Sequence, residues 1–322
     1  QSGEKADGCT GSPQAAGPWY RVNGTSPLTG TVDELTAERE IYQAVRYDEF
    51  GTALDQTDYY WTGTSSAGVG LTDLCSSWVV SASDVQGLHG SPTLSAGHWT
   101  YTQASDCSEQ RRLLCVEPGT SEVTPVAWVP SALAFVTSAY GTGDLSGWLG
   151  AAGATGIAAG DAICRNLAAE AHLPAPDSFV AWLSNATTDA ASRLTLTNVA
   201  YRRLDHFRIA ISKADLVSGG NTNSIHVDER GEYLSTYPSV MTGTGSDGSV
   251  GVEHCDNWSD GTSGELATRG YASHAYDATW TDHTEYGCNQ PGRIYCFSNK
   301  LTLFWDGFEY TEDTSRWSAV AP

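Results

Sequence analysis

The sequence has little positive charge. Lys and Arg total 17 against 38 Asp and Glu, which gives a formal net charge of −21, and only three residues are lysine. A surface of this sign repels phosphate backbones and anionic lipids, so nucleic acid and an acidic membrane are not expected as partners. No apolar run reaches the ~18 residues that a membrane-spanning helix needs.

Glycine, tryptophan and cysteine are abundant instead. The 322 residues include 34 Gly, 11 Trp and eight Cys. Such a loop-rich, cysteine-rich composition is typical of proteins outside the cytosol. The first residues, Gln1-Ser2-Gly3-Glu4, are typical of a mature chain after processing. We therefore expect a secreted protein, extracellular or at the cell surface, whose fold is held by disulfides.

An internal repeat organises the chain. Cys75 and Trp78 recur as Cys255 and Trp258, 180 positions later. Because the offset varies by only one residue over nearly a hundred positions, we infer a duplicated module. The further matches, at offsets of 180 or 181, are Tyr20 with Tyr201, Asp48 with Asp228, Gly51 with Gly231, Gly63 with Gly243, Trp99 with Trp280, Cys107 with Cys288 and Cys115 with Cys296.

The two copies differ at their N-terminal sides. The second copy contains an apolar run at 132–136 that predicts a strand, and the pattern at 161–173 predicts a helix capped by Asp161. The first copy has only eight residues before Cys9, so we expect it to lack the strand and most of the helix. The predicted organisation is a truncated domain at 1–118, a linker at 119–131, a complete domain at 132–298 and a tail at 299–322.

The predicted fold class is α+β. Most apolar runs are three to six residues long and are separated by Gly, Ser, Thr and Asp, which favours short antiparallel strands joined by long loops.

The four cysteines of each copy allow three pairings. We expect nested pairs, with an outer bond from the opening of the domain to its last strand and an inner bond across one long loop. A zinc site made of thiolates needs CxxC-type clusters, which the spacings do not supply. The expected bonds are Cys9–Cys115, Cys75–Cys107, Cys164–Cys296 and Cys255–Cys288.

The closing Cys-x7-Cys pattern of each copy, which ends at Cys115 and Cys296, resembles that of the C-type-lectin-like superfamily. The second copy is also similar to an endostatin-like branch found in secreted bacterial proteins of unassigned function. That similarity rests on the runs 135–137, 162–164, 181–184, 242–244, 255–258 and 293–297. The resemblance implies two tandem domains with small antiparallel sheets, a helix or two, and a long loop region that often carries binding.

The resemblance also raises the question of calcium. Sugar-binding members hold Ca²⁺ with carboxylate and amide oxygens, the ligands that this hard ion prefers. Glu253 matches one element of that pattern and Asp282 partly matches another, while Asp247 lies where the family has a Glu-Pro-Asn triplet. Because the triplet itself is missing, a Ca²⁺ site at these three residues is an open alternative, and no other cofactor is expected.

Four aromatic residues are candidates for stacking on sugar rings, because a flat apolar face suits the C–H groups of a pyranose: Tyr59, Tyr60, Trp128 and Trp148. The repeated tryptophans at 78, 99, 258 and 280 are instead predicted to lie in the core beside the cysteines.

The segment 301–318 resembles a tail that ends many secreted bacterial proteins, which implies export or surface display. Its first part, Leu301–Trp305, is a β-prone apolar run. Two outcomes stay open: the run docks on its own second domain, or it completes the truncated first domain of the same or a neighbouring molecule by strand addition. Between molecules, that contact would be head-to-tail and would build a filament.

No pattern in the sequence predicts catalysis. The histidines are scattered, no HExxH, GxSxG or P-loop pattern lies in a credible setting, and the repeated acidic pairs at 48–49 and 228–229 better suit a turn before a glycine. We therefore expect a binding or adhesion protein that recognises glycan or protein. The alternative is a structural subunit that self-associates into an extracellular filament.

Overall fold

The computed structural model describes residues 17–22, 24, 27–31, 35, 41–65, 68–72, 74–117, 126–234 and 238–303. The chain forms two compact units. Unit 1 comprises residues 1–126 with the short segments 233–237 and 273–275, and unit 2 comprises the rest. The division at 126/127 falls inside the segment that the sequence marks as a linker. Residues 273–275 belong to unit 1, whereas the sequence placed them within the second domain, 132–298.

Unit 1 is built from short strands. A two-stranded antiparallel sheet pairs the first two, and a four-stranded sheet has the order β5–β4–β3–β6, in which β3 and β6 run parallel. A 3₁₀ turn, Ala96–Trp99, precedes β5. The bounds are β1 Trp19–Tyr20, β2 Pro27–Thr29, β3 Tyr60–Trp61, α1 Cys75–Trp78, β4 Gln86–Gly90, β5 Gln103–Asp106 and β6 Arg112–Leu113.

Unit 2 repeats this arrangement and adds to it. Its elements are β7 Ala132–Val136, α2 Gly156–Glu170, β8 Phe179–Ala181, α3 Ala190–Arg193, β9 Tyr201–Arg202, β10 Arg208–Ala210, α4 Lys213–Val217, β11 Ser239–Met241, α5 Cys255–Trp258, β12 Leu266–Tyr271, β13 Thr284–Gly287 and β14 Tyr295–Ser298, with 3₁₀ turns at Leu145–Gly147, Pro176–Ser178 and Ala278–Trp280. They form a three-stranded sheet, β11–β12–β13, and a five-stranded sheet of order β10–β9–β7–β14–β8.

The five-stranded sheet holds the core of unit 2. Every residue of β7 is buried, as its uninterrupted apolar sequence predicts for a central strand. Trp182 packs against Trp280 and Phe297 with ring centroids 5.2 and 5.6 Å apart, and its indole nitrogen donates to Thr281 Oγ1. Burying rings of this size supplies much of the hydrophobic stabilisation of a small domain.

Helix α2 covers one side of this sheet. It begins after Thr155, six residues before the predicted cap Asp161, so that part of the prediction is wrong. The Asp161 carboxylate instead accepts from the amide of Ala181 and from Arg193, which ties the helix to β8. Gly160 permits the close approach, because a Cβ there would lie 2.6 Å from Leu183 Cδ1.

The duplication extends to single hydrogen bonds. The amides of Thr62 and Gly63 both donate to the carbonyl of Leu88, and those of Thr242 and Gly243 both donate to the carbonyl of Thr268. The repeated acidic pairs also form equivalent turns: the carbonyls of Asp48 and Asp228 accept from Gly51 and Gly231, and both glycines have positive φ. The prediction that these acidic pairs form turns is therefore confirmed.

The two cysteine-tryptophan segments, α1 and α5, are single left-handed turns. All four residues of each turn have positive φ, between 48° and 65° in α1 and between 45° and 67° in α5. The turns stack Trp78 on Gly63 and Trp258 on Gly243, where a Cβ on either glycine would lie 2.7 Å from the indole ring. The repeated Thr-Gly-Thr motif thus serves packing against the tryptophan.

The described residues form three disulfides, each within one unit. Unit 1 contains Cys75–Cys107, and unit 2 contains Cys164–Cys296 and Cys255–Cys288. They are three of the four bonds expected from the sequence. Cys115 is exposed and forms no disulfide with another described cysteine, and its expected partner Cys9 lies outside the described residues. The mixture of sheets, few helices and disulfides confirms the α+β class. Within the described chain, no helix has the length and apolarity to cross a bilayer.

Candidate functional site

The last strand of unit 2, β14, lies between two other strands. It pairs antiparallel with β7 through Val136–Tyr295, Phe135–Cys296 and Ala134–Phe297, and on its other side with β8. Helix α2 is joined to it by the Cys164–Cys296 bond. As a result, residues 294–298 are completely or almost completely buried.

The matching segment of unit 1, residues 113–117, has no such cover. Leu113 is 76% exposed and Val116 is 51% exposed, whereas their counterparts Ile294 and Phe297 are fully buried. Within the described chain, residues 114–117 join no strand ladder, and β6 pairs only with β3. The described residues of unit 1 include no counterpart of β7, α2 or β8.

A cavity of about 1080 Å³ lies beside this segment, and we call it the unit 1 groove. Its walls are 113–117 and β1, the counterparts of β14 and β9. In unit 2, those two strands are the neighbours of β7. The unit 1 groove therefore occupies the position that β7 fills in unit 2. Its floor is apolar and is formed chiefly by five buried side chains, Trp19, Ile41, Leu54, Tyr60 and Trp99.

The floor of the groove is rigidly held. The hydroxyl of Tyr60 donates to the carbonyls of Ser91 and Trp99, and burial raises the pKa of this phenol well above its ordinary value. The indole nitrogen of Trp19 donates to the carbonyl of Glu117 at 2.9 Å. Tyr60 is thus a buried part of the groove floor and is not presented to solvent as a ligand-stacking ring, which corrects the expectation from the sequence.

The arrangement is suited to binding an extended peptide. An exposed strand edge offers unpaired amide and carbonyl groups that template another strand, and the adjacent apolar floor accepts alternate side chains.

The other aromatic candidates occupy separate places. Tyr59 is half-buried, 4.5 Å from the His89 ring and beneath the Arg111 guanidinium. Trp128 is half-buried and packs edge-on against His206. Trp148 is mostly buried, and its indole nitrogen donates to the carbonyl of Thr142.

Trp148 nevertheless borders a second, smaller cavity, in unit 2. The cavity has a volume of about 410 Å³ and lies beside Tyr140 and Leu149, which are 67% and 93% exposed. The Arg293 guanidinium lies 5.5 Å from the centre of the Tyr140 ring and donates to the carbonyls of Thr137 and Ser138. This contact positions an exposed aromatic ring that sequence reasoning did not select.

The structure does not gather the three candidate calcium ligands. Among the described residues, no group of three or more His, Cys, Asp or Glu side chains is arranged to hold a metal ion. The Asp247 carboxylate accepts from the amide and hydroxyl of Ser249, which lowers its pKa and closes its own turn. Glu253 and Asp282 therefore share no such site with Asp247, and a calcium site at these residues is not proposed.

No protein-family model matches the chain, and no curated protein is detectably similar to it.

The unit 1 groove was only partly foreseeable. The match between 113–117 and 294–298 could be read from the repeat, but the exposure of 113–117 could not. The same apolar pattern is buried at 294–298, so the pattern alone does not distinguish a covered strand from an open one.

Proposed function

We propose that the protein is a structural subunit of an extracellular assembly, in which the unit 1 groove receives an extended segment from another copy. The observation that carries this proposal is the exposure of 113–117 at a sheet position where unit 2 buries the matching strand between two partners. The proposal includes the fold and the location of the protein: both units are C-type-lectin-like, and the protein lies outside the cytosol. The three disulfides are compatible with that location.

Binding of an extended segment in the groove is favoured by the burial of apolar side chains. Burying a large aliphatic side chain contributes about 1.5–3 kcal/mol, and Leu113 and Val116 both lie exposed at the groove wall. An added strand would also satisfy the open edge, since an uncovered edge presents unpaired N–H and C=O groups. Because the donor segment and the groove are different parts of the chain, the contact is heterologous, and repeated addition extends a chain of subunits.

Sedimentation of a groove variant tests this function. Val116→Arg places a charge in the groove wall, while Val79→Arg places the same charge at an 80% exposed position of unit 1 outside the groove. We expect the unmodified protein and Val79→Arg to form species whose size grows with concentration, and Val116→Arg to sediment as a monomer. A monomeric unmodified protein, or an assembling Val116→Arg variant, would contradict the proposal.

A second function, recognition of glycan or protein by unit 2, is favoured by one observation. The exposed ring of Tyr140 is held by Arg293 at the edge of the 410 Å³ cavity, where it presents a flat apolar face. A glycan array tests this function. Tyr140→Ala should lose the signal, whereas Tyr101→Ala, at an exposed position of unit 1, should keep it.

A further inference from the structure

The donor segment of the proposed assembly can be identified within the chain. The occupant of the unit 1 groove must replace β7, which contributes Ala134, Phe135 and Val136 to the ladder with β14. It must therefore supply an apolar, β-prone stretch of at least three residues, or roughly 10 Å of extended chain.

Residues 303–305, Leu-Phe-Trp, fit this requirement. They have the pattern of the β7 residues 134–136, Ala-Phe-Val, with an aliphatic side chain followed by phenylalanine and a large apolar residue. Residue 303 follows directly after Thr302, which exchanges two backbone hydrogen bonds with Ser131 in unit 2. The chain is therefore hydrogen-bonded to unit 2 immediately before this segment.

Two apolar side chains at the proposed contact are exposed. Leu303 is 70% exposed, and Val116 at the groove wall is 51% exposed. Both would be buried by the same contact if a second copy supplied the strand.

We propose, resting on the function above, that residues 303–305 of one copy pair with residues 114–116 of a second copy, at the position that β7 holds in unit 2. The register of this pairing follows from the ladder between β7 and β14, because residues 114–116 match residues 295–297 of β14 at an offset of 181. Leu303 lies opposite Val116, Phe304 opposite Cys115 and Trp305 opposite Leu114, and the strands run antiparallel. The partner is therefore a copy of this same chain, joined head-to-tail.

Mixing two blocked variants tests the donor. Leu303→Arg blocks the donor and leaves the groove intact, while Val116→Arg blocks the groove and leaves the donor intact. Val252→Arg, at an 80% exposed position of unit 2, is the control for the added charge. We expect each blocked variant alone to be monomeric, an equimolar mixture to form a 1:1 complex that grows no further, and Val252→Arg to assemble like the unmodified protein.

The outcomes separate the donor from the proposed function. If Leu303→Arg assembles normally while Val116→Arg does not, the groove still receives a strand but the donor assignment is wrong. A mixture that stays monomeric while the unmodified protein assembles also overturns the donor assignment. If Val116→Arg assembles normally, the proposed function and the donor both fall.

A disulfide trap tests the register. A copy carrying Leu303→Cys, mixed under mild oxidation with a copy carrying Val116→Cys, should give a crosslinked dimer. A copy carrying Glu117→Cys in place of Val116→Cys is the control, because position 117 is one residue out of register and on the opposite face of the strand. Crosslinking to Glu117→Cys as fast as to Val116→Cys would overturn the register.

Discussion

Val116 is half exposed, whereas Phe297, its counterpart 181 positions later, is completely buried. Both follow the last cysteine of their copy and both are apolar. The difference lies in what covers them. Phe297 contacts Trp182, Tyr201 and Trp280 within a sheet that continues on both sides, while the described residues of unit 1 supply no strand on either side of Val116.

Peptide mapping of the unreduced protein tests whether the fourth expected disulfide, Cys9–Cys115, forms. The nested pattern of unit 2 predicts a Cys9–Cys115 bond, since Cys115 matches Cys296. Mass spectrometry should therefore detect a linked pair of peptides containing these two cysteines. Rapid alkylation of Cys115 in the folded, unreduced protein, without loss of any linked pair, would be inconsistent with that bond.

Relief of the left-handed backbone should stabilise unit 1. Ser77 has φ 63° in the turn α1, and a left-handed conformation costs an ordinary residue about 1 kcal/mol or more, a cost that glycine avoids. Ser77→Gly should raise the free energy of unfolding by about 0.5–1 kcal/mol. The matched change Asn257→Gly in α5 should gain less, because asparagine tolerates this conformation. Urea unfolding measures both, and an equal or larger gain at 257 would contradict the argument.

Acidification should destabilise unit 1 through His89. Burial, with a smaller effect from Arg111, lowers the pKa of this imidazole to about 4, against about 6.5 in the unfolded chain. Between these values the unfolded chain binds a proton that the folded unit does not, so stability falls as pH falls from 6.5 to 4 and is unaffected above 6.5. Each pH unit within this window costs about 1.4 kcal/mol.

Unfolding of His89→Gln as a function of pH measures this effect. The variant should lose less stability than the unmodified protein between pH 6.5 and 4, and parallel profiles would show that His89 is not responsible. The counterpart of His89 in unit 2 is Arg269, which is buried but donates to the carbonyls of Gly287, Gln290 and Pro291. Burial lowers the pKa of Arg269 only to about 10, so this cation persists through the same pH range.

Removal of the long disulfide of unit 2 should cost more than removal of the short one. The Cys164–Cys296 bond closes a separation of 132 residues and the Cys255–Cys288 bond one of 33. Loop-closure entropy then assigns about 5 and about 4 kcal/mol to the two bonds. In each variant both cysteines of one bond are replaced by alanine, and chemical denaturation is followed by tryptophan fluorescence. The variant without Cys164–Cys296 should lose more free energy of unfolding than the variant without Cys255–Cys288. The reverse order would indicate that native packing outweighs chain entropy.

Several features could be predicted because they depend on local or repeated sequence. The acidic pairs form turns because Asp48 and Asp228 accept from the amides that follow them and Gly51 and Gly231 supply positive φ. The bonds formed by six of the cysteines follow from their nested spacing. The strand β7 follows from an apolar run too short for a helix.

Other features required the tertiary structure. Trp258 is fully buried, yet its counterpart Trp78 is 48% exposed, so the prediction that the repeated tryptophans lie in the core is wrong for Trp78. Asp161 fits the pattern of a helix cap but lies within α2, where it binds Ala181 and Arg193 from neighbouring elements. Such choices are made by partners that are distant in sequence.

The sequence by itself therefore determined the duplication, the α+β class and the disulfide pattern of the described cysteines, because each depends on spacing along the chain. Only the tertiary structure decided which of the two matching segments, 113–117 or 294–298, is buried. Burial depends on the elements that pack across a strand, and the described part of unit 1 has none where unit 2 has β7, β8 and α2.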